Sequence, residues 1–134
     1  MRRWSVLFII LKLAVVCEMA HLAAEVSVGS DARDKSIVVT ASWYGRGFHG
    51  RYMANGNRYN MYAISVAHKT LPLGTKLKIT NMEHGISVFA TVTDRGPYVK
   101  GREFDLSYGA ARVLRIVGYG VHPVKVEYLG REEV

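Results

Sequence analysis

Between Ile37 and Leu129 the apolar residues recur at every second position in short bursts, and each burst ends at glycine, proline or an Asn-Gly pair. A period of two belongs to β-strands. Ile37–Tyr44 is β-branched and aromatic, Tyr62–His68 is strand-like, and Lys76–Asn81 alternates charged with apolar residues. In Ile86–Thr93, Val88, Ala90 and Val92 alternate with Ser87, Thr91 and Thr93, and Val124–Leu129 alternates as a last strand. Asn81–Gly85 turns the chain between two of these runs, which predicts a hairpin. Phe104–Ser107 is short and extended, and Ser107 is placed to cap a helix predicted over Tyr108–Val117. The expected fold is mainly β, a compact barrel of six short strands with one short helix.

The chain has 134 residues, enough for one small domain. Arg2 and Arg3 precede an apolar run from Val6 to Cys17, broken by Lys12, and Leu22-Ala23-Ala24 offers small residues for cleavage. Residues 1–24 are therefore expected to be a signal peptide, because the run falls short of the roughly 20 residues a membrane span needs. The competing readings are a retained membrane anchor and a lipid anchor at Cys17, the latter weakened by Ala14-Val15-Val16 before it. Residues 25–36 are polar and without periodicity, a flexible arm, and 37–134 form the folded domain. Loss of Arg2, Arg3, Lys12 and Glu18 with the leader lowers the formal charge from +7 to +5 and removes the single cysteine. A basic exported domain suits an anionic partner such as cell-wall polymer. Nucleic acid is not expected, for no reader motif is present. Nor is a metal, since His49, His68, His84 and His122 lack ligand spacing.

The stretch richest in chemistry is Thr91–Val99. A strand breaks into Arg95-Gly96-Pro97, leaving Asp94 at its mouth, the usual address for a rigidly presented side chain. The same residues also describe a capped, salt-bridged surface turn. Ala41-Ser42-Trp43-Tyr44-Gly45, the Phe48-His49-Gly50-Arg51 loop, Ala67–Thr75 (AHKTLPLGT), Thr93–Pro97 (TDRGP) and Phe104–Ser107 (FDLS) follow one another in order. In that order they resemble the rare lipoprotein A-like family of septal lytic transglycosylases, from about Ala41 to Leu129. The resemblance implies a double-psi β-barrel acting on peptidoglycan. Its reaction cuts between N-acetylmuramic acid (MurNAc) and N-acetylglucosamine (GlcNAc) without water and leaves a 1,6-anhydro end. It implies Asp94 as the acid with His68 beside it, needs no cofactor, and brings division-site proteins into consideration as partners.

The family's Ala-Asn-Gly motif continues Glu-x-Phe/Tyr-Asp. Here Asn57 stands for the Glu and Asn60 for the Asp, and Met53 replaces a usual Thr. A hydrolase wants two carboxylates. A transglycosylase can use one, which protonates the glycosidic oxygen and then accepts the proton of the muramic C6 hydroxyl. Asparagines keep the shape and hydrogen bonding of the lost acids but not their charge. Arg95, if turned inward, would disfavour the protonated acid. Tyr44 is expected to stack on a sugar and Trp43 to point into the core. Asn55, Asn57, Asn60, Arg95 and Asp105 complete the expected binding residues; Asp105 has a structural alternative, and for Asn55 the alternative is a plain Asn-Gly turn. The rival to an enzyme is a glycan-binding barrel that has lost its chemistry; a binder of another protein through a basic face is a third reading.

Overall fold

The computed structural model describes residues 35–131. The expected signal peptide with Cys17, and nearly all of the arm, lie outside the described residues. The strands are β1 (Ser36–Tyr44), β2 (Ser65–His68), β3 (Thr75–Asn81), β4 (Ile86–Asp94), β5 (Phe104–Ser107) and β6 (Val121–Arg131), with helix α1 (Tyr108–Val113) between the last two. They close into a barrel in the order β1-β5-β2-β4-β3-β6. Closure leaves no free sheet edge, which is how strands as short as β2 and β5 are held. β1–β5 and β2–β4 run parallel, and the other four neighbours run antiparallel. The predicted hairpin is β3–β4, turned at Gly85 with φ 67.

The alternation read from the sequence fills the barrel. Ala41, Val66, Leu77, Ile79, Val92, Leu106 and Val124 are fully buried in one cluster, and Ala110, Ala111 and Leu114 pack against it from α1. Ser107 caps α1 as its type predicts, its Oγ accepting the Ala110 N–H at 3.2 Å. Trp43 is partly buried against this cluster and donates its indole N–H to the Val117 carbonyl at 3.2 Å.

Two elements are shorter than their patterns predict. The helix stops at Leu114, since Arg115 takes a left-handed φ of 59, and Val117–Tyr119 forms a separate 3-10 turn. The strand expected from Tyr62 starts at Ser65. Asn60 Oδ1 accepts the Tyr62 N–H at 3.0 Å and its carbonyl accepts the Ala63 N–H at 3.1 Å, so residues 60–63 turn instead.

Candidate functional site

A single row of residues crosses four strands on the barrel face away from the core. Ser42 of β1 pairs with Asp105 of β5, Asp105 with Ala67 of β2, and Ala67 with Asp94 of β4. Two strand spacings separate the aspartates, which places their Cα atoms about 10 Å apart. Both line a cleft of about 300 Å³, together with Tyr44, Phe48, Ala67, residues 95–99 and Arg102.

Asp94 reaches this face through an irregularity. It shares parity with the core residues Val88, Ala90 and Val92, so an unbroken strand would bury it. Val66 pairs with Val92, but the next residue, Ala67, pairs with Asp94, and Thr93 is passed over as a bulge. The extra residue rotates Asp94 outward beside Asp105. Asp94 Oδ1 then accepts the N–H of Ala54 at 2.9 Å and of Arg95 at 2.8 Å. No described residue hydrogen-bonds Oδ2, which leaves one oxygen anchored and the other open. On Asp105, Oδ1 accepts the Ser42 hydroxyl.

Arg95 lines the cleft, with one guanidinium nitrogen committed to backbone. Nη1 donates to the carbonyls of Leu71 at 2.6 Å and His68 at 3.2 Å. His68 does not line the cleft. Its Nδ1 accepts the N–H groups of Thr70 at 3.1 Å and Leu71 at 2.9 Å, and its ring packs on Phe104 at 4.6 Å. Two donors aimed at Nδ1 assign the proton of the neutral ring to Nε2. His68 thus shapes the turn that holds Arg95, the residue next to Asp94.

Burial is the main reason the His68 pKa lies below its ordinary 6.5; Arg95 and Lys69 act in the same direction and Glu103 opposes them. With the folded value depressed, the unfolded chain binds the proton more readily. The stability due to His68 is therefore complete above about pH 6.5 and is lost as pH falls through the folded value. His68→Asn should be less stable than the parent by about 1 kcal/mol at pH 7.5, from poorer capping of the two N–H groups. That gap should close toward pH 5 in urea titrations. A gap independent of pH would show that the ring does not titrate in this environment.

Tyr44 is buried rather than open to a ligand on its full face. It stacks on Tyr59 at 4.3 Å and meets Phe48 edge-on at 5.7 Å. Tyr59 donates its hydroxyl to the Tyr44 carbonyl at 2.6 Å, and burial pushes its own pKa up to about 12. Burial, then the neighbouring Tyr59 and Asp94, raise that of Tyr44 as well, so both stay phenols. Ser65 lies beside the buried Tyr44 hydroxyl without a hydrogen bond of good geometry.

The Ala-Asn-Gly turn docks on the end of β4. Besides the bond from Ala54 to Asp94, the Asn55 N–H reaches the Thr93 carbonyl at 3.2 Å. Gly56 supplies the φ of 88 that the turn requires. Asn55 Oδ1 accepts the Asn57 N–H at 3.0 Å, and Asn60 Oδ1 closes the turn described above. All three asparagines are exposed and none lines the cleft. The structure thus brings Asp94, Asp105, Tyr44 and Arg95 to one cleft; His68 is tied to it through Arg95 and Asn55 through Thr93, while Asn57 and Asn60 do not line it. The bulge at Thr93 and the cleft position of Phe48 and Arg102 were missed by sequence reasoning.

A family model described as lytic transglycolase matches residues 36–126. The chain belongs to that family, the rare lipoprotein A-like double-psi β-barrels. A probable endolytic peptidoglycan transglycosylase RlpA of Nostoc sp. (strain PCC 7120) is 53% identical over 93 residues, covering 68% of this chain and 25% of that protein. The endolytic peptidoglycan transglycosylase RlpA of Pseudomonas aeruginosa (strain UCBPP-PA14) is 48% identical over 98 residues, covering 73% of this chain and 29% of that protein. The chain therefore spans about a quarter of the length of these relatives. In fold, it superposes on the Streptomyces papain inhibitor with a TM-score of 0.57 at 19% identity, covering 72% of this chain and 96% of that one. An apo expansin from Clavibacter michiganensis gives 0.57 at 22% identity, covering 74% of this chain and 52% of that one.

Proposed function

We propose that this barrel cleaves peptidoglycan strands between MurNAc and GlcNAc as an endolytic transglycosylase of the cell envelope. The observation that carries the reading is the bulge that turns Asp94, with one free oxygen, into the cleft that Asp105 also lines. The names of its RlpA relatives supply the reaction class. The positive N-terminus and apolar run supply the argument for export.

In the proposed cycle Asp94, protonated at Oδ2, donates to the glycosidic oxygen as the bond to the MurNAc anomeric carbon breaks. The leaving GlcNAc departs with a free hydroxyl. The muramic C6 hydroxyl attacks the anomeric carbon and gives its proton to the Asp94 carboxylate, which restores the acid. The charge that develops on the anomeric carbon faces Asp105, which Ser42 holds in place. His68 and Arg95 are positioning residues, for neither offers a proton to the cleft. The test is to incubate the protein with purified peptidoglycan and identify the released fragments by mass spectrometry. Anhydro-ended fragments are the expected result. Ordinary reducing ends would assign hydrolysis and make Asp105 the second carboxylate.

One observation favours a second reading, a glycan-binding barrel without chemistry. The two positions where family members carry acids hold Asn57 and Asn60, both exposed and neither lining the cleft. Under the enzyme reading, Asn57→Glu with Asn60→Asp should raise the rate of anhydro-fragment release, by about 10-fold or more, by adding negative charge near Asp94. Retention on the sacculus with no fragments from either form would establish the binding barrel.

A further inference from the structure

The cleft holds one charged group that the proposed cycle leaves unused. Arg102, on the connection between β4 and β5, lines it beside Tyr98 and Val99. Its N–H closes a turn onto the Val99 carbonyl at 3.3 Å, and its side chain is half-buried while Lys100 and Gly101 stand exposed. The other guanidinium of the cleft, on Arg95, has its Nη1 held by the Leu71 and His68 carbonyls. Arg102 makes no side-chain hydrogen bond or ion pair with any described residue. It does not bridge to Asp94, whose Oδ1 holds two N–H groups, or to Asp105, whose Oδ1 holds the Ser42 hydroxyl.

A half-buried guanidinium with five donors and no acceptor among the described residues is poised for an outside partner, and its planar fork matches a carboxylate. Asp94 and Asp105 also line the cleft and repel an anion, so the guanidinium of Arg102 is the group there suited to receive one. A homopolymer of GlcNAc offers this group hydroxyls and acetamides alone. A strand containing MurNAc adds a carboxylate to every second sugar, on the lactyl ether or at the end of a peptide attached to it.

We infer that Arg102 is the carboxylate receptor of the cleft and selects muramyl strands over neutral GlcNAc polymers. This rests on the glycan reading above. The experiment is calorimetric titration of the purified protein with sulfur-linked tetrasaccharides, so that no turnover intervenes. The ligands are a MurNAc-GlcNAc tetramer with free lactyl carboxylates, the same tetramer bearing stem peptides, its lactyl amide, and the GlcNAc tetramer.

The carboxylate ligands should bind about 10-fold more tightly than the amide and the GlcNAc tetramer, as one charge-assisted bidentate contact allows. Arg102→Gln should erase that preference without weakening the GlcNAc tetramer. Arg112→Gln, which removes the same charge from an exposed position on α1, should retain it. Tightest binding by the first ligand assigns the lactyl carboxylate, and by the second the peptide carboxylate. Equal affinities for charged and neutral ligands in the parent overturn the inference and leave the glycan reading standing. So does a preference that survives Arg102→Gln or is lost equally in Arg112→Gln. Failure of all four ligands to bind overturns both.

Discussion

Asp94→Asn should lower the release of anhydro-ended fragments by about 10³-fold while leaving the fold intact. The substitution is nearly isosteric. An amide oxygen at the Oδ1 position still accepts the Ala54 and Arg95 N–H groups, so the turn over residues 53–57 keeps its anchor on β4. The amide nitrogen then occupies the open position. It cannot deliver a proton to the glycosidic oxygen, nor take one from the C6 hydroxyl, and both halves of the cycle fail together. Positioning by the cleft survives, which is why the loss stays within the range of general acid–base catalysis and short of the whole rate enhancement. The measurement is initial-rate fragment release for parent and variant beside their thermal unfolding curves. A melting point within about 2 °C of the parent would mark the effect as chemical. A variant that folds and releases fragments at the parental rate would remove Asp94 from the mechanism and leave Asp105 as the acid to examine.

Gly109→Ala should destabilise the domain by about 3 kcal/mol, although glycine to alanine within a helix ordinarily stabilises by up to about 1 kcal/mol. Gly109 is the second residue of α1 and donates its N–H to the Met61 carbonyl at 2.7 Å. A methyl group there would lie 2.3 Å from the Tyr62 carbonyl oxygen, 2.7 Å from its carbon and 3.0 Å from the Ala63 oxygen. All three are backbone atoms, so no rotamer change relieves the clash. The helix start and the 61–63 segment must part, although Ser107 Oγ ties them by donating to the Ala63 carbonyl at 2.6 Å and accepting the Ser65 N–H at 3.1 Å. Steric cost outweighs helix propensity several-fold. For a domain of this size, 3 kcal/mol corresponds to a fall in melting temperature of more than about 10 °C. The strain also reaches the cleft, because Tyr59, which precedes the displaced segment, stacks on Tyr44. Urea unfolding decides the matter by sign: a stabilised alanine variant would mean that α1 does not rest on residues 62–63.

Much of this was legible before any coordinates. Alternation in Lys76–Asn81 and Ile86–Thr93 marked β3 and β4, because a half-buried strand writes its two faces into every second residue. Ser107 marked the start of α1, and Gly85 the hairpin turn, through chemistry confined to a few neighbouring residues. The helix end was misread because Val117 continues the apolar spacing while Arg115 leaves helical backbone space. The strand start was misread because an asparagine side chain at 60 competes for backbone donors that the alternation assigns to a ladder.

The sequence by itself determined most of the strands and the presence of Asp94 and Asp105, because each is a property of residues close along the chain, and it showed the family through the order of short motifs. Tertiary structure alone decided which way Asp94 points. By its parity that side chain belongs in the core with Val92, and it leaves only because Ala67 of β2 skips Thr93 in pairing with β4. It likewise turned Arg95 onto the Leu71 carbonyl, kept His68 within its own turn and brought Arg102 to the cleft without a side-chain partner among the described residues. A bulge is a mismatch of register between two strands, and register exists only once strands distant in sequence have paired.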